Sequence, residues 1–120
     1  IAGEVPAPRP PPHPSLARLA MFLRGKDADI EFADEADFPF DGEAVFPGGH
    51  IFVFNYLENP SMRDAIDFYN SVLGSRAIFG FLVTGVNNPD LRVFAVGKDI
   101  AIIHRDLITE DGEHIMNAID

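Results

Sequence analysis

The stretch Ser61-Met-Arg-Asp-Ala-Ile-Asp-Phe-Tyr-Asn-Ser-Val-Leu-Gly74 decides the fold, because it carries a complete set of helix signals. Ser61 is a good N-cap, and Asp64 follows three residues later, close to a capping box. Gly74 is placed to end the helix in a left-handed conformation. Apolar side chains recur with helical spacing on one face: Met62, Ala65, Ile66, Tyr69, Val72 and Leu73. The pattern predicts a helix over residues 61–73 that lies flat against a sheet.

Apolar segments on both sides of this helix predict strands. Residues that favour strands are concentrated in four segments: 51–57, 77–84, 91–96 and 100–104. Gly80 either weakens the second strand or marks a bulge. Residues 85–90 form a turn cluster, and residues 97–99 join the last two strands as a hairpin. With a short final helix over 113–119, the order is β-α-β-β-β-α. The sequence predicts an α+β fold with a four-stranded, mostly antiparallel sheet packed on one main helix.

The first 49 residues differ in composition from the rest of the chain. Six prolines between residues 6 and 14 predict an extended, polyproline-like segment. Residues 15–24 predict a short helix, capped by Ser15 and ended by Gly25, which needs something to pack against. We therefore expect a long extended N-terminal arm over residues 1–49 and a compact α+β domain over residues 50–120.

Residues 27–43 combine eight acidic residues with interleaved aromatic ones. One reading is a linear binding segment that lays Phe side chains into a partner's groove while the acids meet a basic rim. The other is a segment that folds back over its own domain, because exposed Phe side chains are costly in water. On the first reading, the partner-binding residues of the arm are Leu16, Leu19, Phe22, Leu23, Phe32, Phe38, Phe40 and Phe46.

Charge and composition exclude several classes of protein. The net charge of −10 makes the chain a poor candidate for binding nucleic acid and suits a basic protein partner or cations. The absence of cysteine excludes disulfides, thiolate metal sites and a Cys nucleophile. The sequence has no run of 18 apolar residues and no signal-peptide pattern, so we expect no membrane insertion and a cytoplasmic or other reducing compartment.

The helix and the strands around it resemble a known family. The order β-α-β-β-β, with Ala65-Ile-Asp-Phe-Tyr-Asn-Ser-Val-Leu-Gly74 on the helix, resembles one module of the glyoxalase, or vicinal-oxygen-chelate, superfamily over residues 50–106. The resemblance implies a divalent metal in a cupped site that two modules complete, in one chain or across a dimer. The implied metal ligands are His50, or Asn55 in its place, and His104. The alternative is that each histidine is an ordinary surface or hydrogen-bonding residue at the end of a strand.

Two classes of function follow from these patterns. The first is a non-catalytic structural or assembly subunit, which needs no cofactor and uses residues 1–46 to bind neighbouring protomers or a partner protein. The second is a glyoxalase-like, metal-dependent enzyme or small-molecule binder that acts as a dimer. We favour the first, because the predicted arm is more than a third of the chain and the implied metal-ligand set is incomplete.

Overall fold

The computed structural model describes residues 11–34 and 38–108, in which five strands form one sheet in the order β1-β2-β3-β4-β5. The elements in chain order are α1 (Pro14–Arg24), β1 (Asp29–Phe32), β2 (Gly42–Val45), β3 (Ile51–Leu57), α2 (Met62–Leu73), β4 (Phe79–Thr84), α3 (Pro89–Ala95) and β5 (Ile100–His104). A single 3-10 turn, Arg105–Leu107, follows β5. The predicted final helix over 113–119 and the first ten residues of the proline-rich segment lie outside the described residues.

The sheet is mixed, with an antiparallel half and a parallel half. Strands β1, β2 and β3 form an antiparallel meander, whereas β4 runs parallel to β3 and β5 runs parallel to β4. Parallel neighbours need a crossover connection, and α2 and α3 supply the two crossovers. The predicted α+β class is confirmed. The prediction of four mostly antiparallel strands was wrong, because the meander adds two strands and one predicted strand is a helix.

Residues 91–96, predicted as a strand, belong mostly to helix α3. The Asn88 side chain caps this helix by accepting a hydrogen bond from the Asp90 backbone N–H at 3.1 Å, and Pro89 occupies the first turn. Leu91 and Ala95, one turn apart, are buried. The predicted hairpin was therefore wrong: the Asn-Pro-Asp cluster starts a helix, which returns the chain so that β5 lies parallel to β4.

Helix α2 confirms the prediction made from its caps. The Ser61 hydroxyl accepts a hydrogen bond from the Asp64 N–H at 3.1 Å, and the Asp64 carboxylate accepts one from the Ser61 N–H at 2.9 Å. Gly74 follows the last helical residue but has a φ of −82°, so the predicted left-handed ending was wrong.

Gly80 lies in an unbroken part of the sheet, with no bulge in its pairing to either neighbouring strand. A Cβ atom at this position would lie 2.7 Å from Cγ2 of Val72 and 2.9 Å from Cζ of Phe68. Glycine is thus the residue that lets α2 lie close against β4.

Helix α1 covers one face of the sheet, and α2 and α3 cover the other. Leu16, Leu19 and Leu23 are fully buried in the core on the α1 face, together with side chains of the central strands such as Phe54 and Phe81. This burial provides the packing that an 11-residue helix needs. Within the part of residues 1–49 that the structure describes, α1, β1 and β2 belong to the same sheet-based fold as the later elements.

The start of α1 also differs from the prediction. The helix begins at Pro14, and the ring Nδ1 of His13 accepts a hydrogen bond from the Ser15 N–H at 3.1 Å. Ser15 is buried and lies inside the first turn. His13, rather than the predicted Ser15, is therefore the N-cap. Its ring stacks on the ring of Tyr56, with centroids 3.8 Å apart, and this contact holds it close to the sheet.

Candidate functional site

The connection between β1 and β2 is held against β3 by a set of hydrogen bonds. The side-chain oxygen of Asn55 accepts from the Asp41 N–H at 2.6 Å, and its amide nitrogen donates to the Pro39 carbonyl at 3.0 Å. The Asp41 carboxylate in turn accepts from the Tyr56 N–H at 2.7 Å. Asn55, an alternative metal ligand in the sequence analysis, therefore positions the segment that carries Phe38 and Phe40.

Three aromatic rings lead from this segment into the core. The Phe38 ring meets Phe40 edge-to-face with centroids 6.1 Å apart, and Phe40 meets Phe68 of α2 in the same way at 6.1 Å. Phe40 is only 2% exposed, whereas Phe38 is 40% exposed. Phe38 is thus a large apolar side chain at the surface that rests on a buried support.

Two adjoining depressions meet at Phe38 and Glu43, and we call them together the Phe38 groove. The larger, of about 460 Å³, is lined by Phe38, Pro39, Phe40, Glu43, Ile51, Val53, Gly74, Ser75, Arg76 and Ala77. The smaller, of about 180 Å³, is lined by Glu31, Ala33, Asp34, Phe38 and Glu43. The groove therefore joins a mostly apolar hollow to a rim of carboxylates.

The carboxylates of the groove follow from the register of the meander. Glu31 of β1 is paired with Glu43 of β2, and Glu43 is paired with Val53 of β3. Paired positions point to the same face of a sheet, so the three side chains form a row on the face that carries α2. Like charges placed directly opposite each other repel, which makes the pair of Glu31 and Glu43 unfavourable in the isolated chain.

A second cluster of polar side chains lies where the parallel strands end. The Tyr56 hydroxyl donates a hydrogen bond to the Glu58 carboxylate, and the Arg105 guanidinium lies 3.9 Å from the same carboxylate. Desolvation by burial and then the hydrogen bond to Glu58 raise the pKa of Tyr56, while Arg105 acts in the opposite direction. Because Glu58 is already paired with both groups, we interpret this cluster as a link between the ends of β3 and β5.

Gly85, just after β4, makes this cluster possible. A Cβ atom at Gly85 would overlap the Glu58 carboxylate, so a larger residue there would require the Glu58 side chain to move. The Gly85 carbonyl is also 3.3 Å from Nε2 of His104, and Nδ1 of His104 is 3.8 Å from the Asp106 carboxylate. One ring nitrogen of His104 is thus within hydrogen-bond distance of its own chain, and the other faces the Asp106 carboxylate.

The predicted metal ligands His50 and His104 are not brought together within one chain. His50 immediately precedes β3, whereas His104 is the last residue of β5, which runs in the same direction. The register places His104 level with Leu57, seven residues beyond His50, which corresponds to about 23 Å along the strands. Nitrogen ligands of a zinc-like ion lie about 2.1 Å from it, so a metal bound by both histidines would need a second chain. That two-chain site stays a prediction.

The predicted partner-binding residues separate into three groups. Four are buried in the core of their own chain: Leu16, Leu19, Leu23 and Phe40. Three are partly buried against the core on the α1 face: Phe22, Phe32 and Phe46. Phe38 alone among the eight belongs to the exposed large apolar side chains, and it lies in the groove.

Sequence reasoning missed the far wall of the groove. Ile51 and Val53 come from β3, and residues 74–77 come from the connection that follows α2, so no local pattern connects them with Phe38. It also missed the hydrogen bonds of Asp41. One signal was available: an Asp-Gly pair directly after Phe40 is typical of a tight corner, at which side chain-to-backbone bonds are common.

Comparison of the chain with family models, with curated proteins and with solved structures found no match. Within residues 11–34 and 38–108, no group of three or more His, Asp or Glu side chains is arranged to hold a metal ion. No helix in that part of the chain is both long enough and apolar enough to cross a membrane. The geometry of the Phe38 groove is therefore the basis for a functional proposal.

Proposed function

We propose that this chain is a non-catalytic interaction subunit, which binds a basic and apolar segment of a partner protein in the Phe38 groove. The observation that carries the proposal is the meeting of an exposed Phe38, an apolar hollow and the carboxylates of Glu31, Asp34 and Glu43 in one place. The acidic, Phe-rich composition of residues 27–43 supports the same proposal.

The larger hollow suits an apolar side chain of the partner. Its volume of about 460 Å³ is within the range of small ligand sites and exceeds what one large side chain needs. Phe40, Ile51 and Val53 supply an apolar floor, while Arg76 and Glu43 supply polar groups at its margin. Interfaces commonly place an aromatic or aliphatic anchor in a hollow of this kind.

The smaller depression suits a positively charged side chain. Residues 27–43 contain eight acidic and no basic residues, so the charge is unbalanced within this segment. A lysine or arginine over Glu31 and Glu43 would convert their repulsion into attraction, because each carboxylate would then have an opposite charge nearby. The net charge of −10 would also speed the approach of a basic partner.

Phe38 is expected to contribute most to the affinity. A Phe side chain buries about 200 Å², so covering the 40% that is exposed removes about 80 Å² from water. At about 25 cal/mol per Å², this corresponds to about 2 kcal/mol, or roughly 30-fold in Kd. Phe38 rests on Phe40, and Asn55 holds the neighbouring Pro39 carbonyl. Both contacts lower the entropic cost of ordering Phe38 when the partner binds.

Selection from a random peptide display library with the full chain as the target tests the proposal. We expect the selected peptides to combine lysine or arginine with a large apolar residue. Phe38→Ala should then raise the Kd for a synthetic peptide of a selected sequence roughly 30-fold. Glu31→Gln and Glu43→Gln, which keep the side-chain size, should slow association and reduce its dependence on salt.

Met21→Ala is the matched control, because Met21 is an exposed apolar residue on α1, on the other face of the sheet. It should leave the peptide affinity unchanged. A library that yields no binder, selected peptides without basic residues, or full affinity in the Phe38→Ala variant would each contradict the proposal.

A further inference from the structure

Helix α1 lies in a basic segment of an otherwise acidic chain. Residues 11–26 contain three basic residues and no acidic one, whereas residues 27–120 contain five basic and 18 acidic ones. On the outside of α1, the exposed residues Arg18, Met21 and Arg24 follow one another at intervals of three, and Met21 is 69% exposed. Residues three apart are neighbours on a helix surface, so two positive charges flank a large apolar side chain. We call these three residues the basic ridge of α1.

The basic ridge is complementary in chemistry to the Phe38 groove. The smaller depression of the groove is lined by Glu31, Asp34 and Glu43, and the larger one is a mostly apolar hollow. Within the part of the chain that the structure describes, the two arginines of the ridge and these three carboxylates take part in no salt bridge. Methionine is unbranched and flexible, which suits an irregular hollow. The two surfaces therefore match in charge and in apolar character.

The ridge and the groove lie on opposite faces of the sheet. Helix α1 covers one face, whereas Phe40 and Val53 of the groove belong to the core on the face that carries α2. The sheet stands between the two surfaces, so the ridge does not reach the groove of its own chain. Complementary surfaces on opposite faces of a molecule give a head-to-tail contact, in which each copy offers its ridge to one neighbour and its groove to another.

We propose that the basic ridge of α1 in one copy of this chain binds in the Phe38 groove of a second copy. This inference rests on the proposed function and identifies the partner as the chain itself. Met21 enters the apolar hollow, and Arg18 and Arg24 meet the carboxylates of the smaller depression.

The contact is expected to be weak. One side of an 11-residue helix covers less than the roughly 1,600 Å² of a standard interface, and the net charge of −10 opposes the approach of two copies. Association therefore belongs to concentrated solution. Peptide binding and urea unfolding, measured on dilute protein, are unaffected by it.

Sedimentation equilibrium of the full chain at increasing concentration provides the first test. The average mass should rise above the chain mass of 13.2 kDa and continue past twice that value, because a head-to-tail contact does not close at two copies. The double variant Arg18→Glu, Arg24→Glu should stay at 13.2 kDa. The matched control Arg63→Glu, Arg92→Glu makes the same change in net charge at exposed positions outside the ridge and the groove, and it should associate like the wild type. Far-UV circular dichroism verifies that each variant is folded.

A mixture of two variants tests the head-to-tail arrangement. Phe38→Ala keeps the ridge but should raise the Kd of self-association roughly 30-fold. The double variant Arg18→Glu, Arg24→Glu keeps the groove but loses the ridge. Each variant alone should stay near 13.2 kDa, whereas the mixture should form a pair of twice that mass. One intact ridge then meets one intact groove, and no further copy can add.

A wild-type chain that stays at 13.2 kDa up to about 1 mM would overturn the inference. So would association that survives the loss of both arginines, or a mixture of the two variants that remains monomeric. Peptide selection separates these results from a failure of the proposed function. Selected peptides that bind through Phe38 leave the role of the groove intact even when the chain itself is monomeric.

Discussion

Replacing Leu19 with alanine measures how firmly the N-terminal third of the chain belongs to the fold. Leu19 has no exposed surface and lies in the core on the α1 face. A fully buried Leu→Ala change costs about 3–5 kcal/mol, because the transfer free energy is lost and a cavity remains. We expect a loss of about 3 kcal/mol in the free energy of unfolding, a more than 100-fold change in the folding equilibrium constant. On a free arm, the same change would stay within about 0.5 kcal/mol.

Urea unfolding followed by far-UV circular dichroism provides the assay, because the chain lacks the tryptophan that fluorescence would need. With a slope of about 2 kcal/mol per molar urea, Leu19→Ala should lower the midpoint by about 1.5 M. Met21→Ala is the control: it lies on the same helix but is 69% exposed. It should leave the midpoint nearly unchanged. Equal midpoints for the two variants, or a loss below about 1 kcal/mol for Leu19→Ala, would refute the packing of α1 described above.

Three further predictions concern caps and the cluster at the end of the parallel strands. Ser61→Ala removes the capping box of α2 and should lower the free energy of unfolding by about 1 kcal/mol, measured by the same urea assay; an unchanged midpoint would show that the cap contributes nothing. In a Tyr69→Phe background, the phenolate absorbance of Tyr56 should have a midpoint above the ordinary value of 10.0, and Glu58→Gln should lower it. The raised pKa means that the folded state keeps the Tyr56 proton to a higher pH than the unfolded chain does. The resulting contribution to the free energy of unfolding is present below pH 10 and is lost as the pH rises through the folded pKa of Tyr56. Gly85→Ala should displace Glu58 and lower the Tyr56 midpoint in the same direction as Glu58→Gln; a midpoint that does not move would contradict the role given to Gly85.

Elements with strong local signals could be predicted from the sequence. Helix α2 follows from its capping box and its apolar spacing, and β3 follows from seven consecutive residues dominated by strand formers. Helix α1 was expected as a helix, with Pro14–Arg24 close to the predicted range. Each of these signals acts within one or two turns of chain, so it does not depend on the rest of the molecule.

Strand β1 shows why other elements were missed. The sequence Asp29-Ile-Glu-Phe32 alternates polar and apolar residues, and the structure shows the matching alternation of exposed and half-buried positions. Four residues of this pattern within an acidic segment are equally typical of a linear binding motif. The pairing of β1 with β2, and of β2 with β3, decides between the two, and the paired residues lie up to 16 positions apart in the chain.

The candidate site likewise combines features that the sequence shows with features that only the fold creates. The acidic charge of residues 27–43 and the apolar character of Phe38 are properties of the chain, and a linear segment that binds a basic partner was one of the two readings they allowed. The hollow beside Phe38 exists only because β3 and the connection after α2 form its other wall. The sequence by itself thus determined which chemical groups are present and where the local helices and strands begin. The tertiary structure decided which Phe side chains are buried and which one is exposed, because burial depends on contacts between residues that are distant in sequence.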